Sequence, residues 1–600
     1  MTDLRFDIGS LRAAYAAGTV TPADVIDAMF ARIEALGDPG IFITLGEKAT
    51  LLNQARALAE YDAQMPLWGI PFAVKDNIDV AGLPTTAACP DYLYLPERDS
   101  TVVALLRSAG AIPVGKTNMD QFATGLVGVR SPYPIPRNAI DPRLVPGGSS
   151  SGSAVAVAHG LVSFALGTDT AGSGRIPAGL NNIVGLKPSL GALSTTGVVP
   201  ACRTLDCVSI FALTVEDAYR VFSVAATPDA SDPYSRSFAA GRYGRRPPSL
   251  RIGVPAPTDR RFFGDQFMKD AYDAALAKIE GLGCTLIEVP FADLFAVASL
   301  LYEGAWVAER YAAIRDFFDA HEASLHPVTR GIYAAAKSLT AADAFGGFYS
   351  LQAYKSRLAP MLAGVDLLCV PTAPTHYTLS DLEAEPIREN SRLGTYTNFV
   401  NLLDMSGIAV PSGTRADGRP ASVTLLGVAG RDALAATLAA ELHAASGLTL
   451  GATGWAQPKP VIAIAEPSGI PVVVVGAHLS GMPLNRELTS RGAVFDRAIT
   501  TSPNYRLFAL AGQIPPKPGL VRTSGADGVA IETEVWRLAP EAFVSFVAAI
   551  PAPLSIGTIS LADGSSAKGF VVESAGLVGA TDISSYGGWR SYCSRSAPHR

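Results

Sequence analysis

The 600-residue sequence has only six cysteines and seven histidines. Cys89, Cys202, Cys207, Cys284, Cys369 and Cys593 form no CxxC pair, and the histidines show no HExxH-like spacing. Neither residue type points to a metal centre, so no metal and no cofactor are expected. The cysteines read as free thiols in a reducing, cytoplasmic setting. There is no basic surplus: 48 Lys and Arg stand against 54 Asp and Glu, a net charge of −6. That balance argues against nucleic acid or an anionic membrane as partner. Long apolar runs are also missing. The richest stretch, VIAIAEPSGIPVVVV, is broken by Glu466 and two prolines, so no membrane span is expected. The amino-terminal MTDLRFDIGS carries acidic residues and no apolar core, unlike a signal peptide. No internal repeat is visible.

What is present is material for large cores. Hydrophobic residues make up 48% of the chain, with 57 glycines and 43 prolines for turns. The length implies two or more domains. Thr21 as cap, Pro22 at the first helical position, a stripe of Val25, Ile26, Met29, Phe30 and Ile33, and Gly37 beyond the end predict a helix. Short apolar runs (WGIPFAVKD, AIPVGKT, LVSFALGTDT, LLCVPTAP) alternate with helical patterns such as TVVALLRSAG and SAVAVAHG. The alternation predicts an α/β domain, a mixed sheet covered by helices. PYSRSFAAGRYGRRPPS (233–249) reads as a surface connection. GATGWAQPKP (451–460) reads as a linker between a first domain, 1–455, and a smaller α+β domain, 461–600. There, VVVVGAHLSG, YRLFALAG, AIETEVWRL and KGFVVES carry strand patterns.

Three stretches carry chemistry. GTDTAGSGRIPAG (167–179) holds one serine, Ser173, with no histidine near it. A serine hydroxyl is a weak nucleophile until a base removes its proton. VPGGSSSGSAVAVAHG (145–160) is a glycine–serine loop opening into a small-residue helix, without the phosphate-loop pattern. GIPFAVKDNIDV (69–80) places Lys75 at the end of an apolar run, where alone it reads as a surface lysine. Together PFAVKDNIDV, GKTNMDQFATG, PGGSSSGSAVAVAHG, GTDTAGSGRIPAG and LKPSLGALSTTG resemble the amidase signature family, over roughly residues 1–450. The resemblance implies a Ser–Ser–Lys triad: Ser173 as nucleophile, Ser149 as bridge after a cis peptide from Gly148, and Lys75 as base. A lysine acts as a base only when neutral, which burial promotes. A serine hydroxyl both donates and accepts, so Ser149 can pass a proton. The backbone N–H groups of Thr170, Ala171, Gly172 and Ser173 are expected to face the oxyanion of a tetrahedral intermediate. Asp169 and Arg175 read as a charged pair that orients the loop.

The variants GGSSSGS and DTAGSGR, with MDQFATGLVGVRSPY, TYTNFVNLLDMSGIAVPSG and the extra carboxy-terminal domain, resemble the allophanate hydrolases within that family. That resemblance implies a small anionic amide substrate: allophanate, a urea carboxylated on one nitrogen. Hydrolysis would release ammonia and N-carboxycarbamate, which then loses carbon dioxide. It also implies that Tyr302 and Arg310, in LLYEGAWVAERYAAIR, bind substrate. On one continuous helix they would stand about 12 Å apart and grip opposite ends of a ligand. Read by itself, Arg310 would pair with Glu303 or Glu309. Gly125 in FATGLVG is expected to offer its backbone to the urea end. Residues 461–600 resemble the γ-glutamylcyclotransferase-like carboxy-terminal domain of these enzymes, implying a part in decarboxylation. His478, just after a strand, is the candidate there; Glu534 in IETEVWRL is a weaker one. A homodimer is implied too. With no AMKM biotin-attachment stretch, the biotin-dependent urea carboxylase that would supply allophanate is expected to be a separate protein. Two other readings stand beside this one: another amidase, such as the glutamine-hydrolysing component of a transamidation complex, and a non-catalytic scaffold. The second domain and DTAGSGR weigh against the first, and retention of Lys75, Ser149 and Ser173 against the second.

Overall fold

A computed structural model describes residues 4–58, 60–238, 243–458, 468–524 and 527–596. The chain divides into two compact units, one of residues 1–238, 252–282 and 286–461, the other of 239–251, 283–285 and 462–600. The stretch read as a surface connection at 233–249 is therefore shared between them. Its later part joins the second unit, where Arg245 pairs with Asp496 at 3.0 Å. Glu466, which interrupts the apolar stretch, lies outside the described residues.

The first unit is built on an 11-stranded mixed sheet. In chain order its strands are β1 (Phe42–Leu45), β2 (Pro71–Lys75), β3 (Ile112–Thr117), β4 (Phe164–Asp169), β5 (Val184–Lys187), β6 (Cys207–Ala212), β7 (Arg251–Pro255), β8 (Thr285–Val289), β9 (Leu367–Pro371), β10 (Met405–Thr414) and β11 (Pro420–Val428). In space they run β1-β3-β2-β4-β6-β5-β10-β11-β9-β7-β8. At the centre, β2 lies parallel to both β3 and β4. These central strands are buried along their whole length, which accounts for their near-continuous apolar runs. Residues 110–117, GAIPVGKT, match the spacing of a phosphate-binding loop, yet 112–117 is β3 itself. Lys116 is buried there and donates to Thr85 Oγ1 at 2.8 Å. The early helix spans Pro22–Leu36, with Thr21 and Asp24 capping each other and Gly37 closing it at φ 58°.

The segment read as a linker at 451–460 is packed over its described part. Gly451 N–H and Ala452 N–H donate to Asn182 and Ala158 carbonyls at 3.1 and 2.8 Å. A run of glycine, threonine and alanine looks like a flexible tether; here the small residues let the backbone approach the core closely.

The second unit carries β12 (Ile470–Val474), β13 (Val494–Thr500), β14 (Tyr505–Ala509), β15 (Pro518–Arg522), β16 (Glu532–Leu538), β17 (Leu554–Ser560), β18 (Ser566–Val572) and β19 (Thr581–Asp582). They form a five-stranded sheet, β13-β16-β12-β18-β17, and a three-stranded one, β15-β14-β19. Val472–Val475, Leu479, Tyr505 and Trp536 belong to its core. All six cysteines remain thiols, with no disulfide among the described residues. Among the described residues no helix is long and apolar enough to cross a membrane.

Candidate active site

Because β2 and β4 are parallel neighbours, with Val74 opposite Leu166, their carboxy ends emerge side by side. Lys75 and Thr168 stand there. Open sheets of this kind place ligands outside the carboxy ends of their strands. Lys75 is fully buried, and its ammonium donates to Ser149 Oγ at 2.8 Å and to Thr168 Oγ1 at 2.7 Å. Burial pushes its pKa down to about 7, against the upward pull of Asp120, Asp169 and Asp206. A buried ammonium loses more solvation than those carboxylates restore. Thr168 escaped the sequence reading, although it sits inside the quoted GTDT stretch.

Ser149 follows a cis peptide from Gly148 and precedes the helix Ser151–Ala158. Every residue of that helix is buried, so its small side chains allow it to lie against the sheet. Asp120 holds the turn from the other side. Its N–H donates to Ser149 O at 3.0 Å, and its carboxylate accepts from Gly128 and Arg130 N–H at 2.9 and 2.8 Å. A Cβ on Gly148 would stand 2.0 Å from Asp120 Oδ2, so only glycine fits.

Ser173 is nearly buried, and its hydroxyl donates to Gly125 O at 3.4 Å rather than to Ser149. Its loop is held by the buried Asp169–Arg175 pair, two contacts of 2.9 Å. Burial would raise the Asp169 pKa, but Arg175 reverses it and holds the carboxyl below its usual value. Of the four N–H groups expected to face an oxyanion, that of Gly172 already donates to Asp169 Oδ1 at 3.0 Å. Among the described residues, the N–H groups of Ala171 and Ser173 have no such engagement. Thr170 donates its hydroxyl to Asp206 Oδ1 at 2.6 Å. Burial raises the Asp206 pKa to about 6, although Thr170 and the N–H groups of Cys202 and Ala201 oppose the rise. Asp206 also lines a cavity of about 380 Å³ bordered by Tyr92, Tyr94 and Arg203.

Arg310 and Tyr302 depart from expectation. The helix breaks at Gly304 (φ −137°, ψ −155°) into Ala292–Glu303 and Ala305–Ala313. The Arg310 guanidinium lies 5.3 Å from the Tyr302 ring centroid, so the two address one spot instead of opposite ends of a ligand. Without the interruption their spacing would follow the helical rise; the extended glycine folds the second segment back. Arg310 is fully buried. Its Nη1 meets Thr124 Oγ1 at 3.4 Å, and its Nε and Nη2 have no partner among the described residues. Glu309 instead accepts from Thr204 N–H and Oγ1 at 2.7 and 2.8 Å. Arg310 thus touches Thr124 while Ser173 touches Gly125, its chain neighbour.

Residues 24–435 match the amidase family. The chain belongs to that family. It is a hydrolase of amide C–N bonds, with the amidase-signature fold. Residues 470–594 match the allophanate hydrolase C-terminal domain. Urea amidolyase of Saccharomyces cerevisiae is 44% identical over 569 residues, 92% of this chain and 31% of that protein. The chain therefore spans less than a third of the length of this curated relative. A glutamyl-tRNA(Gln) amidotransferase subunit from Streptococcus thermophilus is 35% identical over 438 residues, 67% of this chain and 87% of that one. Selenomethionine-substituted allophanate hydrolase of Kluyveromyces lactis aligns over the whole of both chains at 41% identity, with a TM-score of 0.78.

Beyond this amidase unit, the second unit holds His478 in the loop after β12. Its Nε2 lies 3.0 Å from Glu487 Oε2, and its ring stacks on Phe570 at 4.8 Å. Burial lowers the imidazole pKa, partly offset by Glu487. Glu534 is buried too. It accepts from Ser480 N–H and Oγ at 2.8 and 2.5 Å, from Trp536 Nε1 at 3.0 Å, and pairs with Arg590. These donors saturate its carboxylate.

Proposed function

We propose that the chain hydrolyses allophanate. The observation that carries this reading is Arg310: a fully buried guanidinium with two nitrogens unpartnered among the described residues, one residue removed from the group that Ser173 touches. Asp206 lies near enough to favour the charge, but buried donors without acceptors are costly, and an anionic ligand would relieve them. Allophanate carries one carboxylate beside the amide to be cut. The uncharged face of Tyr302 would pack on the planar urea.

In this mechanism neutral Lys75 takes a proton from Ser149, which takes one from Ser173. Ser173 Oγ attacks the terminal amide carbonyl. The N–H groups of Ala171 and Ser173 hold the oxyanion, and Gly125 O is available to the substrate nitrogen. The tetrahedral intermediate collapses, the proton returns to the leaving nitrogen and ammonia departs. Water, deprotonated by the same relay, then cleaves the acyl-serine to N-carboxycarbamate. The Ser173 hydroxyl must swing from Gly125 towards Ser149 for the first transfer. Catalytic hydrogen bonds often tighten only when substrate is bound.

The second unit would then decarboxylate the intermediate, with His478 as proton donor to nitrogen; its apolar surroundings favour loss of a charged carboxylate as carbon dioxide. A urea-carboxylating activity is the proposed source of allophanate, a role for which the yeast urea amidolyase similarity is the support. Thiols without disulfides suit a cytoplasmic location. The exposed Phe345, Phe348 and Tyr349 on the helix Ala341–Ala363 suit a homodimer. A glutamine-hydrolysing reading draws on the 35% identity to the streptococcal amidotransferase chain. Ammonia release with allophanate, malonamate, acetamide and glutamine side by side separates the two. Allophanate is expected to turn over fastest; faster turnover of glutamine or acetamide overturns the assignment.

A further inference from the structure

The second unit contains a cavity of about 250 Å³. Its wall is mostly apolar, with Val475, Leu484, Phe546, Leu554 and Phe570 among the lining residues. Three ionisable side chains interrupt that wall: His478, Glu487 and Lys517. His478 and Glu487 are bonded to each other. The nearby Arg491 is engaged too, donating to Glu487 O at 2.7 Å and to Ser545 Oγ at 3.3 Å. Lys517 is different. It stands just before β15, half-buried, with its carbonyl accepting from Leu510 N–H at 3.1 Å. Among the described residues its ammonium has no carboxylate or hydrogen-bond partner. It is close enough to His478 to oppose the imidazole's protonation electrostatically. A half-buried cation with no protein partner among the described residues, at the edge of an apolar wall, is free to take a bound anion.

We propose that Lys517 is the carboxylate-binding residue of this cavity, holding one end of a small dicarboxylate against His478. The inference rests on the decarboxylation reading of the second unit and supplies what that reading lacks, an anchor for the charge that stays. N-carboxycarbamate carries a carboxylate on each side of one nitrogen. One carboxylate pairs with Lys517; the other lies against the apolar wall, where loss of its charge is favoured. A proton passes from the His478 imidazolium to the nitrogen. The C–N bond to the wall-side carboxylate breaks, its electron pair staying on nitrogen. Carbon dioxide leaves, and carbamate remains on Lys517 until release. His478 then recovers a proton from solvent, and no oxidant or further reactant is required. Stacking on Phe570 and the bond to Glu487 fix the ring for this transfer.

The test uses the full chain and reads carbon dioxide release relative to the first ammonium released. Lys517→Met is expected to slow carbon dioxide release by about tenfold or more and to raise the concentration of intermediate needed for half-maximal rate. Lys517→Arg, which keeps the charge, is expected to recover most of it. Malonate, with CH2 in place of NH, is the binding probe, titrated in an Arg310→Met background so that the first unit does not compete. Lys517→Met is expected to weaken its binding about tenfold or more. Wild-type carbon dioxide release and wild-type malonate affinity in Lys517→Met overturn the proposal. His478→Ala separates the two levels. If it leaves carbon dioxide release unchanged, the decarboxylation reading falls, while malonate binding still decides the role of Lys517. If it slows release and Lys517→Met does not, only the Lys517 assignment falls.

Discussion

The Lys75 ammonium donates to Thr168 Oγ1 at 2.7 Å, a bond as short as its bond to Ser149. Two hydroxyls thus share one buried amine, one on the proposed proton path and one beside it. Thr168 accepts from the charged form and so favours it. Thr168→Val removes that acceptor with little change in volume. The Lys75 pKa should fall further, moving the acid limb of the pH–rate profile to lower pH. Loss of orientation should cut kcat by roughly tenfold with little change in KM. Thr168→Ser should restore both; an unmoved limb and unchanged kcat would remove Thr168 from the site.

The pH dependence of the parent enzyme follows from Lys75 itself. Its pKa is about 7, and only the neutral amine accepts a proton. kcat/KM should therefore rise with pH, reach half its plateau near pH 7 and stay flat just above it. A limb falling across the same range would contradict a lysine base. Lys75→Arg should abolish turnover, because a guanidinium stays protonated.

Ser173→Ala should fold normally and lose about 10⁴-fold or more of kcat, the order seen when a serine nucleophile is removed. Ammonia release from allophanate at the parent rate would exclude Ser173 as the nucleophile.

Arg310→Met should separate function from stability. Without ligand, Arg310 is a buried cation with two nitrogens unpartnered among the described residues, so an apolar replacement of similar length should raise the melting temperature. The same change should raise KM for allophanate by roughly 30- to 1,000-fold, equivalent to about 2–4 kcal/mol for removal of an ion pair to the substrate. Acetamide, lacking a carboxylate, should be nearly indifferent. A lowered melting temperature with equal losses on both substrates would mark Arg310 as structural.

Gly172→Ala should be severe. Its φ of 135° lies where side chains are strained, and a Cβ would stand 2.4 Å from Thr397 Oγ1. The strain is of order 1–3 kcal/mol, and the displaced N–H groups of Ala171 and Ser173 should lower kcat by about 10²-fold or more. Thr397→Ala should not rescue it, because the backbone angle remains; full rescue would show that crowding alone was at fault.

Much of the first unit was legible in the sequence. The helix Pro22–Leu36 announces itself by Thr21, Pro22 and Gly37, since caps act within a few residues. The central strands are apolar throughout because both faces are covered. The positions of Lys75, Ser149 and Ser173 followed from motif resemblance, not from any local signal. Other features misled. Gly304 sits in a helical pattern, and a single glycine does not say whether a helix will tolerate it or break there. The Gly172 N–H looked free because its acceptor is a side chain three residues earlier, at Asp169. Glu309 looked like a partner for Arg310 until Thr204, about a hundred residues upstream, took it.

The sequence by itself determined the elements and their chemistry: which runs become buried strands, where small residues let a backbone approach, and which hydroxyls and amines are available. Those properties reside in side-chain size, polarity and spacing along the chain. Only the tertiary structure decided what these groups are. It placed Lys75 beside Thr168 by making β2 and β4 parallel neighbours, buried the amine until its pKa fell to about 7, and left two Arg310 nitrogens without a hydrogen-bond partner among the described residues. Solvation and electrostatic pairing depend on what surrounds a group in space, and residues distant along the chain supply those surroundings.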